Sequence, residues 1–253
     1  MKPYLSHEHP LRFAHRGSRI LWPQNTMVAF QGAVDLGYRY LETDVHVSRD
    51  GRVVVFHDDG LERLTDGRGK VWHHDWSYLT TLDAAHQFDP AAGYPLRGTG
   101  VHIPLLEELL TTFPEACLNI DLKQESIEQS VADELRRLKA EERVLIGSFH
   151  DRRIRRFRAE SMGRVATSAG PREVSRAMAS AAARRPVRGI ADALQIPPRP
   201  ATRRFIDAVH RVGKQVHVWT VNDPAEMRRL LDLGVDGIVT DRPDLLNQVV
   251  LGE

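Results

Sequence analysis

Short runs of β-branched and apolar residues recur along this chain, and most are followed by a stretch whose apolar positions return every three or four residues. The first pattern reads as strand and the second as helix. The strand runs are RFAH, YLETDVHV, CLNIDLK, RVLIGSF, GRVAT, ADALQI, QVHVWTV and DGIVTD, eight in all. Helix patterns between them include NTMVAFQGAVDLG, SIEQSVADELRRLK and ATRRFIDAVHRVG. In NDPAEMRRLLDLG, Asp223 is placed to cap a helix, Pro224 suits its first turn, and Gly234 suits its end. Strand–helix alternation from end to end predicts the α/β class with a parallel sheet. Eight such units in 253 residues predict a TIM (β/α)8 barrel, residues 1–253 forming one domain.

The rhythm breaks once. After VVVFHDD at 53–59, residues 60–104 carry Gly, Pro and aromatics but no long periodic helix. They read as an insertion after the second strand, placed over the barrel mouth.

Alternation also sorts the polar residues. In YLETDVHV it puts Glu42, Asp44 and His46 on one face and Leu41, Thr43, Val45 and Val47 on the other. The outer face of a barrel strand must pack against helices, so the carboxylates point inward. LNIDLK repeats this, with Asn119, Asp121 and Lys123 on one face. Inward carboxylates repel unless a cation or proton lies between them. Glu42, Asp44 and Asp121 therefore form a candidate site for one hard divalent cation, Mg²⁺ or Ca²⁺. The competing reading is a structural ion-pair network of Glu42, Asp44, Lys123 and Arg16, which parity alone does not exclude. His15 and His57, both at the ends of apolar runs, favour chemistry, as a general acid and a general base.

Composition narrows the classes. Apolar residues make up 42% of the chain, and net charge is +1. That balance gives no global drive toward nucleic acid or an anionic membrane. The basic run DRRIRRFR keeps Ile154 and Phe157 at helical spacing and reads as a solvated helix face. Cys117 is the single cysteine, which excludes an internal disulfide and suits a reducing compartment. The opening MKPYLSHEHPLRF has no apolar stretch of signal-peptide length. The expectation is a soluble, cytoplasmic protein acting on a small molecule, with no nucleic-acid partner and no stable membrane anchor.

The motifs HRG, PQNT and AF, then ETDVHVSRDGRVVVFHDDGLERLTDGRG, IPLLEELL, LNIDLK, VWTVND and GVDGIVTDRPD, resemble the glycerophosphodiester phosphodiesterase family. The likeness runs through nearly the whole chain. The stretch from LDAAHQFDP to GYPLRGTGVHIPLLEELL resembles its bacterial cytoplasmic branch.

The resemblance implies a TIM barrel, one divalent metal, and hydrolysis of glycerophosphodiesters to glycerol 3-phosphate and an alcohol. It implies that His15 and His57 are the catalytic pair and that Glu42, Asp44 and Asp121 bind the metal. It further implies that Arg16 and Lys123 contact phosphate, that Trp219 lines the substrate pocket, and that Asn25 belongs to a turn beside the site. Gly17 is expected to let the chain turn close to the substrate. Two positions depart from the family's pattern: Asp121 and Gln24 each stand where a glutamate is usual.

Two alternatives follow. A lysophospholipase D would need an apolar wall, for which the insertion offers Trp72, Trp76, Phe88 and Tyr94. A non-catalytic barrel binding a phosphorylated ligand is disfavoured, because both histidines and all three acids are present. His73, His74, His86 and His102 read as surface or packing residues, and His217 as filler or support. Asp236 and Asp241 read as turn and capping residues.

Overall fold

The first strand, β1 (Leu11–His15), ends on the histidine that the sequence marks, and its neighbours on both sides are parallel. The computed structural model describes residues 2–252. The remaining strands are β2 (Tyr40–Val47), β3 (Val53–Val55), β4 (Cys117–Leu122), β5 (Val144–Gly147), β6 (Ala166–Thr167), β7 (Ala193–Ile196), β8 (Gln215–Val218) and β9 (Gly237–Thr240). All but β3 form a parallel sheet in the order β6-β5-β4-β2-β1-β9-β8-β7. A single parallel bridge, Ser168 to Ala193, joins its two edges and closes the barrel. This is the predicted eightfold architecture, and each of the eight strand runs holds one barrel strand. The run VVVF adds β3, which lies off the barrel and pairs antiparallel with the end of β2.

The principal helices are α1 (Met27–Asp35), α2 (Trp76–Leu79), α3 (Leu106–Thr112), α4 (Glu128–Arg137), α5 (Asp151–Glu160), α6 (Pro171–Ala182), α7 (Arg203–His210), α8 (Pro224–Asp232) and α9 (Pro243–Leu251). Asp223 caps α8 through Ala225 N, with Pro224 in the first turn, and Gly234 has a positive φ just past its end. Among the described residues, no helix is long and apolar enough to cross a membrane.

Alternation fills the barrel in two layers. Inward Phe13, Tyr40, Cys117, Leu145, Ala166, Ala193 and Val239 pack with Tyr4 and Leu5, from a 3₁₀ turn at Pro3–Leu5, at the N-terminal end of the strands. Tyr40 donates its hydroxyl to Tyr4 O and Gln215 donates to Leu5 O, which fixes this plug. The outward set, including Leu41, Val45, Leu118, Ile120 and Leu122, packs against the helices. Each such side chain contributes about 1.5–3 kcal/mol by leaving water. With the lower interior closed by apolar residues together with Gln215 and His217, the charged inward positions lie toward the C-terminal mouth.

The insertion builds its own core from Val54, Phe56, Leu61, Val71, Leu79, Leu82 and Ile103, with Trp72 and Trp76 packed against it. The arginine run of α5 is only partly a solvated face: Arg153 is buried against Glu125 and Leu122 O, and Arg158 turns to Glu173 and Thr167.

Candidate active site

A cavity of about 460 Å³ opens at the C-terminal ends of the strands. His15, Arg16, Glu42, Asp44, His57, Asp121, Lys123 and Trp219 all line it. The register explains the gathering: His15 pairs with Glu42 across β1 and β2, and Asp44 pairs with Asp121 across β2 and β4.

The turn after β1 positions Arg16. Both Arg16 (φ 55°) and Gly17 (φ 78°) have left-handed backbone. A Cβ on Gly17 would stand 2.7 Å from the main chain of Ala29, so this glycine serves the packing of the turn against α1. Arg16 Nη1 donates to Gln24 Oε1 at 2.7 Å, and its Nε lies 3.1 Å from Asp44 Oδ2. Asn25 donates to Asp44 Oδ2 at 2.9 Å and accepts from Thr43, so the turn residue touches the acid cluster directly.

Each histidine of the pair is held by a carboxylate. His15 Nδ1 donates to Asp241 Oδ1 at 2.6 Å, and its Nε2 lies 3.7 Å from Glu42. His57 Nδ1 donates to Asp58 at 2.5 Å, and Arg63 grips the same carboxylate with two nitrogens. Burial opposes ionisation of Asp58, but the His57 and Arg63 bonds hold its carboxyl well below the usual range.

The acids are unequal. Burial, then repulsion from Asp44, pushes Glu42 up to about 7. Burial alone would raise Asp44 too, but the Lys123 and Arg16 cations hold it at about 2. Burial raises Asp121. Lys123 stands between two carboxylates, 2.9 Å from Asp44 Oδ1 and 2.6 Å from Asp121 Oδ2, and their charges raise its pKa against the effect of burial.

Among the described residues, no three His, Cys, Asp or Glu side chains stand as a ready-made metal cage. The ammonium of Lys123 takes the place between Asp44 and Asp121 instead. The donor chemistry still fits a hard cation. Among the described residues Asp121 Oδ1 is buried with no partner, burial and the Asp44 charge raise Glu42, and all three candidates offer oxygen.

Opposite the charged side, Phe149, Pro171, Val174, Met178 and Pro197 supply an apolar wall. The edge of Phe149 meets Trp219 at 5.3 Å between ring centres, with Lys123 5.5 Å from the Phe149 ring. None of Trp72, Trp76, Phe88 and Tyr94 lines the cavity, so the wall sought in the insertion comes from α6 and the strand ends.

Residues 15–245 match the glycerophosphoryl diester phosphodiesterase family. The chain belongs to that family. It is therefore an enzyme, a phosphodiesterase. A Mycobacterium tuberculosis relative named "Probable glycerophosphodiester phosphodiesterase 2" is 39% identical over 98% of this chain and 93% of its own. The Bacillus altitudinis glycerophosphodiester phosphodiesterase is 33% identical, covering 92% of this chain and 94% of that one. A crystal structure of the Agrobacterium tumefaciens glycerophosphodiester phosphodiesterase superposes with a TM-score of 0.78 at 28% identity, covering 93% and 97% of the two chains.

Other polar residues fall outside the cavity. His46 shares inward parity with Glu42 and Asp44, yet it is buried beneath the insertion, donating to His57 O and lying beside Trp72. His217 is fully buried beside Phe13 and donates to Gln215, and burial lowers it to about 4. Asp236 keeps its turn role, accepting from Val216 N and His210. Asp241 does not. Its side chain is fully buried, outside the cavity lining, and holds His15, a contact that only closure of β9 onto β1 produces.

Proposed function

We propose that this site hydrolyses glycerophosphodiesters to glycerol 3-phosphate and an alcohol, with His15 and His57 as the acid–base pair. The carrying observation is one cavity in which two imidazoles, each with Nδ1 tied to a carboxylate, flank an acid cluster and two cations. The family membership and the activity in the relatives' names support the substrate class. Glu42, Asp44 and Asp121 would hold a divalent cation, Mg²⁺ or Ca²⁺, which when bound would supply positive charge to the phosphate.

The chain's own residues do the rest. Arg16 offers a planar fork to phosphate. Its hydrogen-bond partner Gln24 is neutral, and among the described residues Asp44 is the one carboxylate its guanidinium pairs with directly. Lys123 adds a point charge. With Nδ1 donating to a carboxylate, Nε2 is the atom of each histidine left for proton transfer. One histidine takes a proton from the nucleophile, water or the neighbouring glycerol hydroxyl, and the other protonates the alcohol oxygen as its P–O bond breaks. Attack by the glycerol hydroxyl is completed by water opening the cyclic phosphate. Each transfer contributes roughly 10²–10⁴-fold in rate. The buried lone thiol fits a reducing, cytoplasmic setting.

Glycerophosphocholine turnover tests the reading: it stops with EDTA and in His15→Ala. Turnover unchanged by either treatment overturns it.

The apolar wall favours a second reading, cleavage of a lysophospholipid whose acyl chain lies along Val174 and Met178. Lysophosphatidylcholine hydrolysed faster than glycerophosphocholine, with only the former slowed by Val174→Asp, supports it.

A further inference from the structure

Charge is divided unevenly along the chain. Residues 143–214 carry 17 Lys and Arg against five Asp and Glu, whereas the rest carries 18 against 29. The near-zero total conceals one strongly basic sector, from β5 to the start of β8. Three of its connections, 161–165, 183–192 and 211–214, precede β6, β7 and β8. Those strands are successive around the closed barrel, so the three connections lie side by side at the end opposite the cavity.

Each of these connections presents one exposed apolar side chain: Met162 is 66% exposed, Ile190 72% and Val212 36%. Arg184, Arg185, Arg188 and Arg211 are exposed around them. Among the described residues, the ion pairs that arginines of the sector make use other arginines: Arg153 with Glu125, Arg158 with Glu173, Arg164 with Glu141 and Arg172 with Asp151. The one acid within these connections, Asp192, turns inward to accept from Thr167 N. A surface groove of about 630 Å³ extends the face, with Arg184, Arg203, Arg204 and Arg211 around a single carboxylate, Asp207. Acidic residues also stand at this end: Glu160 closes α5, Glu115, Glu141 and Glu142 precede β4 and β5, Glu8 and Asp35 precede β1 and β2, and Asp236, before β9, is taken up by His210 and Val216 N.

We propose that this end of the barrel docks reversibly on an anionic lipid bilayer. The arginines meet lipid phosphates while Met162, Ile190 and Val212 enter the headgroup–acyl boundary. Unpaired arginines interleaved with projecting aliphatic side chains match such a surface in both of its parts. Nucleic acid fits less well, because the three connections contain no aromatic residue to stack on a base. Docked this way, the barrel keeps its mouth toward water.

Co-sedimentation of the full chain with vesicles tests the proposal. The protein pellets with phosphatidylcholine–phosphatidylglycerol vesicles at low salt, not with phosphatidylcholine alone, and is released by high salt. Each neutralised arginine weakens partition about fivefold, so the triple variant Arg184→Gln, Arg185→Gln, Arg188→Gln loses roughly a hundredfold. Ile190→Asp also weakens partition, and both variants hydrolyse a soluble diester at the parent rate, which shows that they fold. A protein that stays in solution with anionic vesicles overturns the proposal, as does a triple variant that pellets normally. Binding unaffected by Ile190→Asp and equally strong on duplex DNA overturns it too, because that behaviour marks a general polyanion surface.

Discussion

His15 and Asp241 stand on adjoining strand ends, linked at 2.6 Å from Nδ1 to Oδ1, with the carboxylate fully buried. Asp241 also accepts from Arg19 and Asn222. Burial would raise its carboxyl, but the bond from His15, aided by Asn222 and Arg19, holds it at about 2. The pair fixes which nitrogen of His15 carries the proton and where the other nitrogen points.

Asp241→Asn keeps the shape and removes the charge that selects this tautomer. We expect kcat to fall roughly 10²–10⁴-fold with KM little changed. Steady-state kinetics on glycerophosphocholine checks this. A purely structural role would instead lower Tm while leaving kcat per folded molecule intact.

Lys123→Met leaves Asp44 and Asp121 facing each other without the cation between them. Removing one partner of a buried ion pair costs about 3–5 kcal/mol, and urea unfolding reads that loss directly. Added Mg²⁺ or Ca²⁺ then stabilises this variant more than the parent, since it supplies the missing charge. Equal stability of variant and parent would contradict the ion-pair arrangement.

Glu42 links stability to pH in an unusual direction for an acid. Its folded pKa, about 7, lies above the ordinary 4.5, so the folded state binds the proton more tightly. Without a divalent cation, stability falls as pH rises through that window. A cation that binds the ionised carboxylate reverses this, and its gain in Tm is larger at about pH 8 than at about pH 5. Thermal melts with and without Mg²⁺ at the two pH values decide the point. Glu42→Gln flattens the difference.

His217 acts in the opposite window. Burial lowers it from 6.5 to about 4, so it stays neutral in the fold and the unfolded chain binds its proton more readily. Stability from this group is complete above about 6.5 and declines as pH falls toward about 4, by about 3 kcal/mol in total. Urea midpoints across this range show a weaker acid slope in His217→Gln.

Much of this site was legible because a barrel strand has a two-residue period. Alternation in YLETDVHV and LNIDLK placed Glu42, Asp44 and Asp121 in one interior, and the cavity contains all three. The same rule misleads at His46, where β2 leaves the barrel to pair with β3 and the inward direction ends under the insertion. Asp241 was out of reach for another reason. Its partner lies 226 residues away, and only closure of β9 onto β1 brings them together. The apolar wall was missed because Val174 and Met178, four apart on α6, read like any helix core pair. The place of Lys123, between two acids as well as facing the cavity, depends on the Asp44–Asp121 register, which no single strand reveals.

The barrel closes through one bridge, Ser168 to Ala193, beside a strand of two residues. Few ladder bonds hold that seam, so it is the sector that opens at least cost, and its amides exchange with solvent before those of β1, β2 and β4. Ala169, Pro171 and Val174 follow directly on the seam and line the cavity. The wall that Pro171 and Val174 supply is thus the compliant side of the pocket, while His15, Glu42, Asp44 and Asp121 stand on the best-paired strands. Substrates of different bulk can be admitted by yielding at one wall, with the reacting groups left in place.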